Sequence, residues 1–114
     1  MKLWIDDVRP APEGYHWIKS VNEAKNLIID CENRMQVGLP AFFTDWGLYK
    51  LPITELNIDH DAGDYVNDGG DYIKLLDWLE ETGRNYPIHI HSQNVVGRMN
   101  MEAIIQRNGW KQIK

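Results

Sequence analysis

The 114-residue sequence has a single cysteine, Cys31, which excludes an internal disulfide or a thiolate zinc cage and suits a reducing compartment. It has no surplus of positive charge: twelve lysines and arginines face seventeen aspartates and glutamates, for a formal net charge of −5. Nothing is therefore available for broad electrostatic capture of duplex nucleic acid or an anionic membrane. It also lacks any apolar run long enough to span a bilayer. The opening stretch MKLWIDDVR reaches carboxylates before a signal-peptide core could develop. These absences predict a soluble, cytoplasmic protein. What is present is 43% hydrophobic and 25% charged composition with five tryptophans and five tyrosines. That is enough apolar area to predict one globular domain over residues 1–114.

Along the chain, strand-like and helix-like segments alternate. KLWI reads as a short strand that ends in Asp6 and Asp7, after which Pro10 and Pro12 forbid a helix. Residues 14–20 alternate aromatic and polar side chains as a second strand would. Ser20 followed by Glu23 forms a capping box for a helix over 21–35, whose inner face carries Ala24, Leu27, Ile28 and Cys31. Residues 36–52 are broken by Gly38, Pro40, Gly47 and Pro52 and predict a loop with a short strand or hairpin. A strand then ends at Asp59. A helix over 71–82 follows, with Ile73, Leu76 and Leu79 inward and Gly83 as its stop. YPIHIHS is the next strand, 96–107 the next helix, Asn108 and Gly109 its terminator, and WKQI a final short strand. The alternation predicts a parallel sheet covered by helices, with its loops converging at the carboxyl ends of the strands.

Three of those strand ends carry the polar residues: Asp6 and Asp7; Asp59, His60 and Asp61; and His91, Ser92 and Asn94. The crevice at such ends is where open parallel sheets bind ligands. Paired carboxylates repel unless a cation lies between them. Asp6, Asp7, Asp59 and Asp61 are therefore candidate ligands of a divalent ion, Mg²⁺ or Mn²⁺, with a shift toward transition metals if His60, His89 or His91 joins them. Aspartates are also common where strands turn into loops. His89 and His91 share one face, and His91, nearer the strand terminus, is the better acid–base candidate; a strand histidine also serves as an ordinary packing residue. The H-x-H spacing is shared with metal-ligand pairs and with paired histidines that donate and accept protons on cyclic phosphodiesters. Asn94 to Gly97 leads into a helix whose amides, with Arg98, could hold a phosphate while Asn100 orients a bound oxygen; the same residues fit a plain helix start.

Together, WIDDVRPAPEGY, NIDHDAGD and PIHIHSQNVVGRMNM, spanning Leu3 to Ile105, resemble the cyclic-phosphate-processing receiver-like domain family, a relative of response-regulator receiver domains. The resemblance implies a receiver-like (flavodoxin-like) α/β fold: a three-layer sandwich around a mainly parallel five-stranded sheet, here without the last helix and with residues 36–52 inserted. It implies a role on cyclic phosphates of nucleotides or RNA ends. By position, Asp6 and Asp7 resemble the receiver acidic pair that binds a divalent ion, and Asp59 the phospho-acceptor. Arg9, His60, Asp61, His91, Ser92, Asn94, Arg98 and Asn100 match features particular to the family.

The leading expectation is a phosphodiesterase-like hydrolase in which Asp6, Asp7, Asp59 and Asp61 serve the metal. His91 and His60 act as acid and base beside Asp59, and Arg9, Ser92, Asn94, Arg98 and Asn100 hold the substrate. One alternative is a receiver-like phospho-acceptor at Asp59. Another is a non-catalytic binder of a phosphorylated nucleotide, with Tyr15 or Trp46 stacking the base.

Overall fold

A computed structural model describes residues 1–44 and 47–114, with the side chain of residue 44 also left aside. In chain order the elements are β1 (Lys2–Ile5), β2 (Tyr15–Ile18), α1 (Val21–Gln36), β3 (Ala41–Thr44), β4 (Gly47–Lys50), β5 (Glu55–Ile58), a 3₁₀ turn (Gly63–Tyr65), α2 (Ile73–Glu81), β6 (Ile88–Ile90) and α3 (Val95–Asn108). Four strands form a parallel sheet in the order β2-β1-β5-β6, and β3 and β4 pair antiparallel as a separate hairpin. The hairpin falls within residues 36–52, where a loop with a short strand or hairpin was expected. The expected fifth strand, WKQI, shrinks to one parallel bridge between Ile88 and Gln112, framed by hydrogen bonds from Ile88 N to Lys111 O and from Ile113 N to Ile88 O.

One face of the sheet is aliphatic. Leu3, Ile5, Ile18, Leu56, Ile58, Ile88 and Ile90 are buried in one cluster with Val21, Ala24, Ile28 and Cys31 of α1, Leu75, Leu76 and Leu79 of α2, and Met101, Ile104 and Ile105 of α3. Helix α2 packs beside both α1 and α3, so the three helices form one layer on this face. The strand register places Lys2, Trp4, Tyr15, Trp17, Glu55, Asn57 and His89 on the other face. No helix among the described residues covers it. The receiver-like α/β class therefore holds with two layers rather than the expected three-layer sandwich. The reason is local: the β1–β2 connection, residues 6–14, contains Pro10 and Pro12 and turns directly from strand to strand.

Local chemistry sets the helix starts. The Ser20 hydroxyl accepts from Glu23 N at 3.1 Å and caps α1. Helix α2 starts at Ile73, two residues later than expected, because Asp71 and Tyr72 are engaged in the preceding loop. Asp71 Oδ1 accepts from Ala62 N at 2.9 Å, Tyr72 N donates to His60 O at 3.0 Å, and the buried Tyr72 hydroxyl donates to Lys19 O at 2.7 Å. Gly109 closes α3 in the left-handed region, φ 67°.

Candidate functional site

Strand β1 delivers Asp6 and Asp7, and β5 delivers Asp59, to the same edge of the sheet. One carboxylate oxygen from each lies within 4.8 Å of the others. Asp6 is fully buried. Its Oδ1 accepts from Val8 N at 3.0 Å and Arg9 N at 2.9 Å, and its Oδ2 meets His91 Nε2 at 2.9 Å across 85 positions of sequence. Burial works against ionisation of Asp6, but the Arg9 and Val8 amides and the His91 imidazole outweigh it and hold the carboxyl below the ordinary aspartate value. Asp7 goes the other way: burial pushes its carboxyl up, and the charges of Asp6 and Asp59 add to the effect. Its Oδ2 occupies the space a side chain at position 63 would need, since a Cβ on Gly63 would lie 2.1 Å away. Gly63 also has φ 53°, so glycine is demanded twice.

Among the described residues no lysine or arginine forms an ion pair with these three carboxylates. The donor set is all hard oxygen, one member fixed by backbone amides and another raised by repulsion, and it fits a Mg²⁺- or Mn²⁺-like ion. Asp61, the fourth expected ligand, stands outside the cluster: it is exposed and its Oδ1 faces His60 Nδ1 at 2.8 Å.

The two histidines have different surroundings. His91 is held on every side: Nε2 on Asp6, Nδ1 on Asn57 Oδ1 at 2.5 Å, and its ring stacked on Trp4 with centroids 3.9 Å apart and planes 5° off parallel. Burial lowers its pKa from the ordinary histidine value while Asp6 pulls against it. Both of its nitrogens are thus engaged within the protein. His60 Nδ1 is 2.8 Å from Asp61 Oδ1 and 3.4 Å from Asn94 Nδ2, while Nε2 has no protein partner among the described residues. The ring lies under the first turn of α3, where a Cβ on Gly97 would come within 2.4 Å of it. His89, expected as the deeper histidine, turns Nδ1 to Ile113 O at 2.7 Å.

The expected phosphate-holding residues are placed unevenly. Ser92 is buried and its hydroxyl accepts from Asn94 N at 3.1 Å; Asn94 Oδ1 in turn accepts from Gly97 N at 2.9 Å and caps α3. Arg9 Nη1 reaches His91 O at 3.4 Å. Arg98 is turned along its helix, with Nε 3.2 Å from Glu102 Oε1, and Asn100 is exposed on the same helix. Trp46 lies outside the described residues; Tyr15 donates its hydroxyl to Glu55 Oε2 at 2.5 Å.

Asn57 and Trp4 were not among the expected site residues. Each sits two positions before a cluster aspartate, Asn57 before Asp59 and Trp4 before Asp6. Strand periodicity alone puts them on the aspartates' face.

A parallel α/β sheet with an acidic cluster at its carboxyl edge defines a receiver-like domain. The comparison with known families is specific: the model of the cyclic-phosphate processing receiver domain matches residues 1–107. The chain belongs to that family. Neither the curated proteins nor the solved structures contain a match to it.

Proposed function

We propose that the domain hydrolyses a cyclic phosphodiester on a nucleotide or RNA end, with Asp6, Asp7 and Asp59 holding a divalent ion, Mg²⁺ or Mn²⁺. The observation that carries this reading is the convergence of the three carboxylates within 4.8 Å, with no lysine or arginine paired to them among the described residues. When bound, such an ion neutralises the phosphoryl oxygens and polarises the phosphorus centre.

The chain's own residues supply position and proton transfer. The His60–Asp61 pair resembles an oriented base: Asp61 accepts from Nδ1–H, which leaves Nε2 bare to take a proton. A water oxygen bonds to phosphorus as its proton passes to His60 Nε2. One ring P–O bond breaks, and the departing alkoxide takes a proton from solvent, giving a phosphomonoester. His91 holds Asp6 in register, and Asn57 and Trp4 hold His91. Arg9, whose Nη1 reaches His91 O, supplies a cation for a phosphate oxygen.

The test is ³¹P NMR of adenosine 2',3'-cyclic phosphate with Mg²⁺. The expected result is conversion to a monoester by the native protein, and a drop of about 10²-fold or more in His60→Gln, the typical contribution of a general base. An unchanged cyclic resonance with the native protein, or full activity in His60→Gln, would overturn the assignment.

A further inference from the structure

A cleft of about 540 Å³ lies away from the carboxylates. It runs along edge strand β2 and is lined by Tyr15, His16, Trp17, Lys19, Glu23 and Tyr49. Its volume suits a small ligand. No Leu, Ile or Val lines it, so it is a poor seat for an apolar helix. Its chemistry is instead aromatic rings beside one ammonium: Lys19 Nζ lies 4.4 Å from the Trp17 ring centroid, and the His16 and Tyr49 rings meet edge-on at 4.2 Å. A flat heteroaromatic ring carrying an anionic group matches that lining, because a base can stack where the lysine now rests while the ammonium swings to a phosphate.

The cleft is joined to the acidic cluster through one side chain. Trp17 Nε1 donates to the backbone carbonyl of Asp6 at 2.8 Å, so the residue forming the cleft wall also braces the strand end that carries the cluster. Lys2, with Nζ 5.4 Å from the Tyr15 ring centroid, adds a second cation on the uncovered sheet face.

We infer that the β2 cleft is a nucleobase site, with the Trp17 ring as its stacking surface, His16 and the buried Tyr49 as the adjoining wall and Lys19 as a phosphate contact. It selects ligands whose cyclic phosphate is attached to a nucleoside over base-free cyclic phosphates. This rests on the reading of the carboxylate edge as the phosphate site and names the substrate class that the edge alone leaves open.

The experiment compares equilibrium binding, with Mg²⁺ present, of adenosine 2',3'-cyclic phosphate and the base-free methyl riboside 2',3'-cyclic phosphate. The proteins are the native chain, Trp17→Leu and Tyr49→Ala. The nucleotide should bind the native protein about tenfold or more tightly than the base-free probe, the scale of a single base–aromatic stack. Each variant should erase most of that ratio, weakening the nucleotide far more than it weakens the base-free probe. Equal affinity for the two probes in the native protein would overturn the inference and leave the phosphate reading standing if both are hydrolysed. Variants that weaken both probes alike would show that the rings only brace the fold, and the inference would fall. Absence of binding by either probe would remove both the inference and the phosphate reading. Sedimentation showing a dimer dissolved by Trp17→Leu would assign the cleft to a second copy of the chain and contradict the nucleobase site.

Discussion

Gly97 faces the His60 ring on the first turn of α3, and a single methyl there separates stability from function. Alanine is worth about 1 kcal/mol over glycine as a helix former, yet its Cβ would come within 2.4 Å of the His60 ring. Gly97→Ala is therefore expected to leave a folded helix, by circular dichroism, and to cut cyclic-phosphate turnover sharply because His60 must move. Turnover equal to the native protein's would show that His60 has no fixed place in the chemistry. Much of this scale was legible in the sequence: Asp6, Asp7 and Asp59 meet as strand-end reasoning says they should. The partition between the histidines was not legible. H-x-H spacing says only that His89 and His91 share a face. The fixing of His91 depends on Asp6 and Asn57 at its two nitrogens and on Trp4 against its ring, residues of β1, its end and β5 that become partners only through the parallel register. The orientation of Arg98 was likewise not legible from the helix start alone, because Glu102 at the i+4 position turns it along the helix.

Helix α2 is fastened to α3 by a carboxylate clamp. Arg107 donates from Nε and Nη2 to Glu80 at 2.9 and 2.8 Å, and Asn108 Nδ2 also donates to Glu80. The Arg107 guanidinium and the Asn108 amide hold the Glu80 carboxyl below the ordinary glutamate value. A carboxyl whose pKa is lowered on folding contributes stability above its unfolded pKa, about 4.3, and loses it as pH falls through the lower folded value. Thermal melts of the native protein and Glu80→Gln are expected to differ at pH 7 and to converge as pH drops below about 4. A gap that persists unchanged in acid would contradict the clamp. The clamp was not foreseen, since partners 27 positions apart are set by how the two helices pack. The late start of α2 has the same kind of cause: Asp71 and Tyr72 carry helix-compatible side chains, but tertiary hydrogen bonds to Ala62, His60 and Lys19 draw them into the loop.

At the level of the whole molecule, the order of strands and helices followed from hydrophobic periodicity, and the layer count did not. The three-layer sandwich was what the family resemblance implied, in keeping with the usual covering of parallel sheets on both faces. Here β1 alternates Leu3 and Ile5 with Lys2 and Trp4, and β2 sets Tyr15 and Trp17 on the same face as Lys2 and Trp4, the pattern of a sheet with one wet face. That pattern was present in KLWI and YHWI, and it distinguishes this sheet from one clad on both sides. The final strand was overestimated because WKQI offers few residues to a ladder. No helix among the described residues is long and apolar enough to cross a membrane.

The acidic edge remains the feature on which the functional account rests. Its most direct test is a calorimetric titration of the native protein and Asp7→Asn with Mg²⁺. The account predicts saturable binding near one ion per chain for the native protein and clearly weaker binding for Asp7→Asn, because the substitution removes one of three hard oxygen charges. Heats no different from dilution in the native protein, or identical binding in the two proteins, would contradict it.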